Sequence, residues 1–120
     1  MKAAFIVGPR QFEIREIDMP TIGDDEMLVR IDACGVCSSD MSAYLGTGSQ
    51  IAQARNPYPR RLGHEPAGTV VETGKHVTGF KAGDRITGYL ADDCFAEYVA
   101  CNPSDRAARG HGAVHGRAQR

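Results

Sequence analysis

Turn residues cut this chain so often that its apolar runs are left at strand length, with room for hardly any helix. Lys2–Val7, Phe12–Ile17 and Met27–Ala33 alternate or cluster β-branched and aromatic residues, and each ends at a turn. Gly8-Pro9-Arg10-Gln11 reads as the turn between the first two. Pro20–Glu26, holding Gly23-Asp24-Asp25, is a polar connection to the third. In that third strand Val29, Ile31 and Ala33 fall on one face and Cys34 on the other. Gly68–Thr73, Asp84–Tyr89 and Cys94–Ala100 are three further strands, separated by Gly74, Gly79 and Gly83. One short helix is predicted from Ser38 or Ser39 through about Tyr44, because a serine hydroxyl accepts from the unpaired N–H groups of a helix start. Gly46–Arg61, with Gly48, Pro57 and Pro59, has no sustained period and reads as a long loop, which at that length is usually functional. The pattern predicts a mainly β fold, a barrel or a sandwich with one or two short helices.

The chain's 120 residues make one domain with a real core, and 42% hydrophobic with 24% charged residues is a globular composition. The start, Met1 to Pro9, is apolar too briefly for a signal peptide, and no later stretch reaches membrane-spanning length, so a cytoplasmic location is expected. Four cysteines, at 34, 37, 94 and 101, read as thiols or metal ligands rather than a disulfide framework. Charge is unevenly spread. Residues 1–105 hold ten Lys/Arg and 15 Asp/Glu, a net of −5, whereas residues 106–120 hold four Arg and no acid. That last stretch, RAARGHGAVHGRAQR, has one Val as its only sizeable apolar residue and cannot bury enough surface to offset chain entropy. We expect 1–105 to be the domain and 106–120 a disordered basic tail, whose Ala/Arg/Gly/His composition fits either a GC-rich gene read out of frame or a natural basic tail.

Chemistry concentrates in Cys37 and, 27 residues later, Gly63-His64-Glu65. A thiolate and an imidazole, each with a carboxylate close by in sequence (Asp40 and Glu65), are the donors and orienting groups that a catalytic zinc needs. Taken singly, Cys37 would read as a small buried hydrophobe and His64 as a loop histidine; Gly63 and Gly68 around His64 let backbone approach a metal closely. Asp40 is also a helix-start acid favoured by the macrodipole, and Ser39 a plain N-cap candidate. Cys34-x-x-Cys37 has knuckle spacing, yet Cys94 and Cys101 have six residues between them and supply no second pair of that kind. His76 belongs to a turn, and His111 and His115 to the tail.

These residues, with Gly63-His64-Glu65-Pro66-Ala67-Gly68, Gly74, Val77 and Gly83-Asp84-Arg85, resemble the amino-terminal catalytic domain of zinc-type medium-chain alcohol dehydrogenases over roughly residues 1–105. The resemblance implies a GroES-like partly open β-barrel with one or two short helices. It also implies Cys37 and His64 as zinc ligands, Glu65 as a carboxylate able to swing onto the metal, Asp40 as the acceptor that orients His64, and Ser39 as the hydroxyl that contacts the substrate alcohol. Many relatives carry a histidine three residues beyond that serine as a proton relay; Ser42 stands there. Many also insert a four-cysteine lobe before Phe95-Ala96-Glu97-Tyr98, which Ile86–Cys94 is too short to hold, so no structural zinc is expected. The family reaction is NAD(P)-linked oxidation of an alcohol or polyol by homodimers or homotetramers. Its third ligand comes from well beyond Glu65, and its cofactor from a glycine-rich βαβ unit. No GxGxxG occurs here, so no NAD(P) site is expected in this chain, and the 120 residues alone are expected to be inactive. Texture around Cys37 and the missing cysteine lobe lean towards polyol or threonine dehydrogenases, and the presence of both Cys37 and His64 excludes zinc-free quinone reductases as the nearest match.

Two rivals belong to other classes. A non-enzymatic GroES-like binding or assembly module needs a mobile hydrophobic loop, and Gly46–Arg61 offers only Ile51, Tyr58 and scattered alanines as apolar residues. Nucleic-acid binding through the tail has the charge but no aromatic to stack on bases. Neither nucleic acid nor membrane is an expected partner.

Overall fold

The structure is a computed structural model that describes residues 1–47, 58–90 and 93–103. The tail 106–120 and the middle of the 46–61 loop lie outside the described residues. The Gly8–Gln11 turn joins β1 (Lys2–Gly8) to β2 (Gln11–Glu16), with Arg10 in the left-handed region at φ 61°. β3 (Met27–Gly35) runs into α1 (Ser38–Leu45); β4 (Arg60–Arg61), β5 (Glu65–Thr73), β6 (Arg85–Thr87) and β7 (Tyr98–Cys101) follow. Every pairing is antiparallel. The strands form one three-stranded sheet in the order β2-β1-β4 and one four-stranded sheet in the order β6-β5-β3-β7. The mainly β expectation, with one helix among the described residues, holds.

Residues 95–97 tie the sheets together. Ala4 N–H donates to the Phe95 carbonyl (2.8 Å), Glu97 N–H to Lys2 (3.0 Å) and Ile31 N–H to Glu97 (2.8 Å), beside an Ala3–Ala96 bridge. The expected strand Cys94–Ala100 is therefore seen only as Tyr98–Cys101, because its first half turns to reach β1. The core lies on one face of the larger sheet, where Met27, Val29, Val70, Ile86, Leu90, Cys94 and Val99 pack as one cluster. Each fully buried Val, Leu, Ile or Met contributes about 1.5–3 kcal/mol.

Four local expectations are corrected. A bulge between Ile31 and Ala33 leaves Asp32 without a strand partner and reverses the alternation. Cys34, expected on the face opposite Val29 and Ile31, packs with Ile31 against the core, while Ala33 is exposed. The end of the long loop, Arg60–Arg61, is a short strand paired with Ile6 and Phe5. β5 begins at Glu65 rather than Gly68, since Pro66 and Ala67 pair with Cys34 and Ala33. The helix cap is Cys37, not a serine: Cys37 is extended and its N–H donates to the Asp40 carboxylate (2.9 Å), one half of a capping box. Gly46, left-handed at φ 68°, ends the helix.

Candidate metal centre

Strand register brings the two motifs together. Gly35, the last residue of β3, is the partner of Glu65, the first of β5. Cys37 follows Gly35 by two residues and His64 precedes Glu65 by one, so both arrive at the same end of the sheet. The Cys37 thiol, a His64 ring nitrogen and a Glu65 carboxylate oxygen lie within 4.8 Å of one another. Among the described residues no other group of three or more His, Cys and carboxylate side chains comes this close together.

Asp40 organises the cluster from beneath. It is 3% exposed, and its carboxylate accepts from the backbone N–H of Cys37 (2.9 Å) and of Gly63 (3.3 Å). One acid thus fastens the backbone at Cys37 and just before His64. Its Oδ1 also stands 3.6 Å from His64 Nδ1, an electrostatic contact longer than a hydrogen bond. With Nδ1 turned to Asp40, Nε2 faces the open side, 3.5 Å from Ser39 Oγ. His64 is itself 4% exposed, and its ring tilts against Tyr89 with centroids 4.7 Å apart.

The donor set suits zinc: sulfur, imidazole nitrogen and carboxylate oxygen are its usual ligands, and three protein ligands leave a fourth position open. Tetrahedral bonds of about 2.0–2.3 Å put ligand atoms about 3.5 Å apart, so the cluster would have to close modestly to hold an ion. Exposed Glu65 has the freedom to make that movement. Gly35 makes room for it. A Cβ at Gly35 would lie 2.8 Å from Glu65 Oε2 and 3.3 Å from Glu65 Cβ, so the carboxylate rests directly over the glycine. Gly35→Ala is expected to push the carboxylate off the cluster at little cost in stability, since a flexible tip is what moves. Zinc affinity should fall about tenfold with the melting temperature nearly unchanged; a wild-type affinity in a chelator competition would refute that role for Gly35.

The Cys37 thiol is acidified to about 7 from 9.0, chiefly by the Ser39 backbone N–H, then by the Ser39 hydroxyl, the His64 side chain and Ser38. Folding therefore stabilises the thiolate. That contribution is complete above the thiol's unfolded pKa and is lost as pH falls through about 7. Alkylation of Cys37 in zinc-free protein should rise through a midpoint near pH 7, and Ser39→Ala should move the midpoint upward. A midpoint at the ordinary thiol value in both proteins would contradict this. Burial instead raises Cys34, whose thiol packs against the core.

The residues expected to meet do meet: Cys37, His64, Glu65, Asp40 and Ser39 form one cluster. Cys34 faces the core, Cys94 is buried in it and Cys101 packs against it, so they do not join Cys37. Exposed His76 contacts Asp25 at 3.0 Å, away from the site. Ser42 Oγ donates to the Ser38 carbonyl (3.1 Å) and is engaged with its own helix. Sequence reasoning did not find Tyr89, which lies past β6 in a stretch without a motif and reaches His64 only through the fold.

A mainly β domain presenting a cysteine, a histidine and two acids at one sheet end defines a class, and comparison with known proteins names it. The chain belongs to the alcohol dehydrogenase GroES-like domain family of zinc-type medium-chain dehydrogenases, which matches residues 23–118. It is similar to sorbitol dehydrogenase of Bombyx mori, 42% identical over 92 residues (77% of this chain, 26% of that protein). It also resembles L-threonine 3-dehydrogenase of Bacillus velezensis, 42% identical over 71 residues (59% of this chain, 20% of that protein). Among solved structures it resembles the quinone oxidoreductase of Coxiella burnetii, with a TM-score of 0.75 and 27% identity over 86% of this chain and 35% of that one. The chain thus spans about a quarter of the length of the curated relatives it matches. No helix among the described residues is long and apolar enough to cross a membrane.

Proposed function

We propose that this chain is the zinc- and alcohol-holding part of an NAD(P)-linked alcohol or polyol dehydrogenase, with Cys37, His64 and Glu65 as metal ligands. The convergence of these three side chains above buried Asp40 carries the reading. A zinc ion held there supplies the positive charge that makes an alcohol hydroxyl easier to deprotonate. Asp40 keeps the His64 ring turned so that Nε2 faces the site. Ser39 Oγ, on the open side, accepts the alcohol's proton. Because Ser42 is bound to the Ser38 carbonyl, that proton leaves Ser39 through water rather than along the helix. Tyr89, against His64, forms a wall for the carbon chain of the substrate.

The hydride acceptor, NAD(P), has no fitting residues here: the described elements contain no βαβ unit, and no step on it is assigned to this chain. The 120 residues alone should bind zinc but oxidise no alcohol. The same reading places the protein in the cytoplasm, as thiols without disulfides suit, and in homodimers or homotetramers as in the family. Zinc titration with a competing chelator tests it. One tight equivalent per chain, lost in a Cys37→Ala, His64→Ala double variant, is expected; uptake that the double variant retains would dismiss the assignment.

A further inference from the structure

We propose that Phe95 is a positioning residue for the metal centre, a plate that sets the backbone from which His64 projects. The inference rests on the metal-holding reading above. Gly63, next to His64, has φ 90°, and a Cβ built on it would lie 2.6–2.9 Å from Cγ, Cδ1 and Cε1 of Phe95. The ring therefore covers that side of the glycine more closely than any side chain on residue 63 would allow.

The surrounding backbone is bonded on every side. Phe95 N–H donates to Leu62 O (3.0 Å), Cys94 N–H to Gly63 O (2.9 Å), Leu90 N–H to His64 O (2.8 Å), and Gly63 N–H to Asp40 (3.3 Å). Phe95 is itself held by Ala4, whose N–H donates to its carbonyl at 2.8 Å. These bonds fix where the Leu62–His64 segment runs, but glycine visits many backbone rotations at low cost. The ring removes that freedom by bulk. Its removal would join Gly63 to the mostly apolar cavity of about 330 Å³ lined by Phe12, Val36, Asp40, Met41, Tyr44 and Phe95. Gly63 would then have space to rotate, and a small rotation there is magnified along the imidazole to Nε2. Site geometry tolerates little of this, since an error of about 1 Å at a reacting group can cost about 100-fold.

The test compares Phe95→Ala and Phe95→Leu with Phe12→Ala, which trims the same cavity through a residue stacked on Tyr44 at 5.5 Å. Two quantities are read per folded chain: zinc affinity by chelator competition, and the His64 ring nitrogen signals of zinc-free protein by NMR. Phe95→Ala should weaken zinc about 10- to 100-fold and shift or broaden the His64 signals, with Phe95→Leu between it and wild type. Phe12→Ala should lower the melting temperature while leaving both quantities at wild-type values. Should Phe95→Ala not fold, Phe95→Leu decides by the same comparison. The proposal is overturned if the Phe95 variants lose only melting temperature, or if Phe12→Ala disturbs His64 equally. Wild-type protein that takes up zinc without needing Cys37 and His64 would overturn the metal reading instead, and the zinc-free His64 signals would still decide the role of Phe95.

Discussion

Asp40→Ala is expected to destabilise the fold by roughly 3 kcal/mol and to weaken zinc binding by about 10- to 100-fold. The carboxylate is almost fully buried and accepts from Cys37 N–H and Gly63 N–H. Hydrogen bonds to a charged acceptor are worth about 1.5–3 kcal/mol, and removing the acceptor leaves donors without a partner inside the protein. Part of the loss is the helix start itself, because Asp40 supplies one half of the capping box. Asp40→Asn keeps the shape and one acceptor oxygen, so it should cost less stability, about half as much. Its affinity loss should remain close to that of alanine, since the negative charge facing His64 Nδ1 is gone in both. Urea unfolding of zinc-free protein and chelator competition separate the two effects. Wild-type unfolding midpoints for both variants would show that the two backbone contacts contribute nothing.

The second large effect is an inequality among the ligands. Structural zinc sites with four ligands have apparent binding free energies of about 10–16 kcal/mol, or roughly 3 kcal/mol per ligand and about 100-fold in affinity. Cys37→Ala and His64→Ala should each lose at least that much. Glu65→Gln should lose only about tenfold, because its carboxylate is exposed, must be ordered on binding, and retains an amide oxygen as a weaker donor. Isothermal titration at pH 8 measures all three. A Glu65→Gln loss as large as that of His64→Ala would make Glu65 an equal ligand and refute the inequality.

Much of the site was legible because metal chemistry restricts residue types. Cysteine, histidine and two acids with glycines between them leave few other readings, and Cys37, His64, Glu65, Asp40 and Ser39 do assemble. Strand periodicity likewise located β1, β2 and β3 to within a residue or two. What escaped depends on contacts distant in sequence. The bulge at Asp32 reverses the alternation that placed Cys34 on the wrong face, and nothing local marks it; the Asp32 carboxylate accepts from Thr69 Oγ1 across the strand pair (3.1 Å). Arg60–Arg61 reads as loop because a two-residue strand has no period to detect. Ser38 and Ser39 looked like caps on propensity, yet Asp40 makes the cap from the third position and also reaches Gly63, an advantage that only the folded chain reveals. Tyr89 comes to His64 because Gly88 and Leu90 on either side of it bond back to Pro66 and His64, and Phe95 comes to Gly63 because Cys94 and Phe95 bond back to Gly63 and Leu62.

X-ray absorption at the zinc edge of the wild-type chain tests the central claim most directly. The predicted shell has one sulfur at about 2.3 Å, from Cys37, with nitrogen and oxygen at about 2.0–2.2 Å from His64, Glu65 and solvent. Cys34 packs against the core and should contribute no second sulfur. A shell with two or more sulfurs, or with none, would contradict the account.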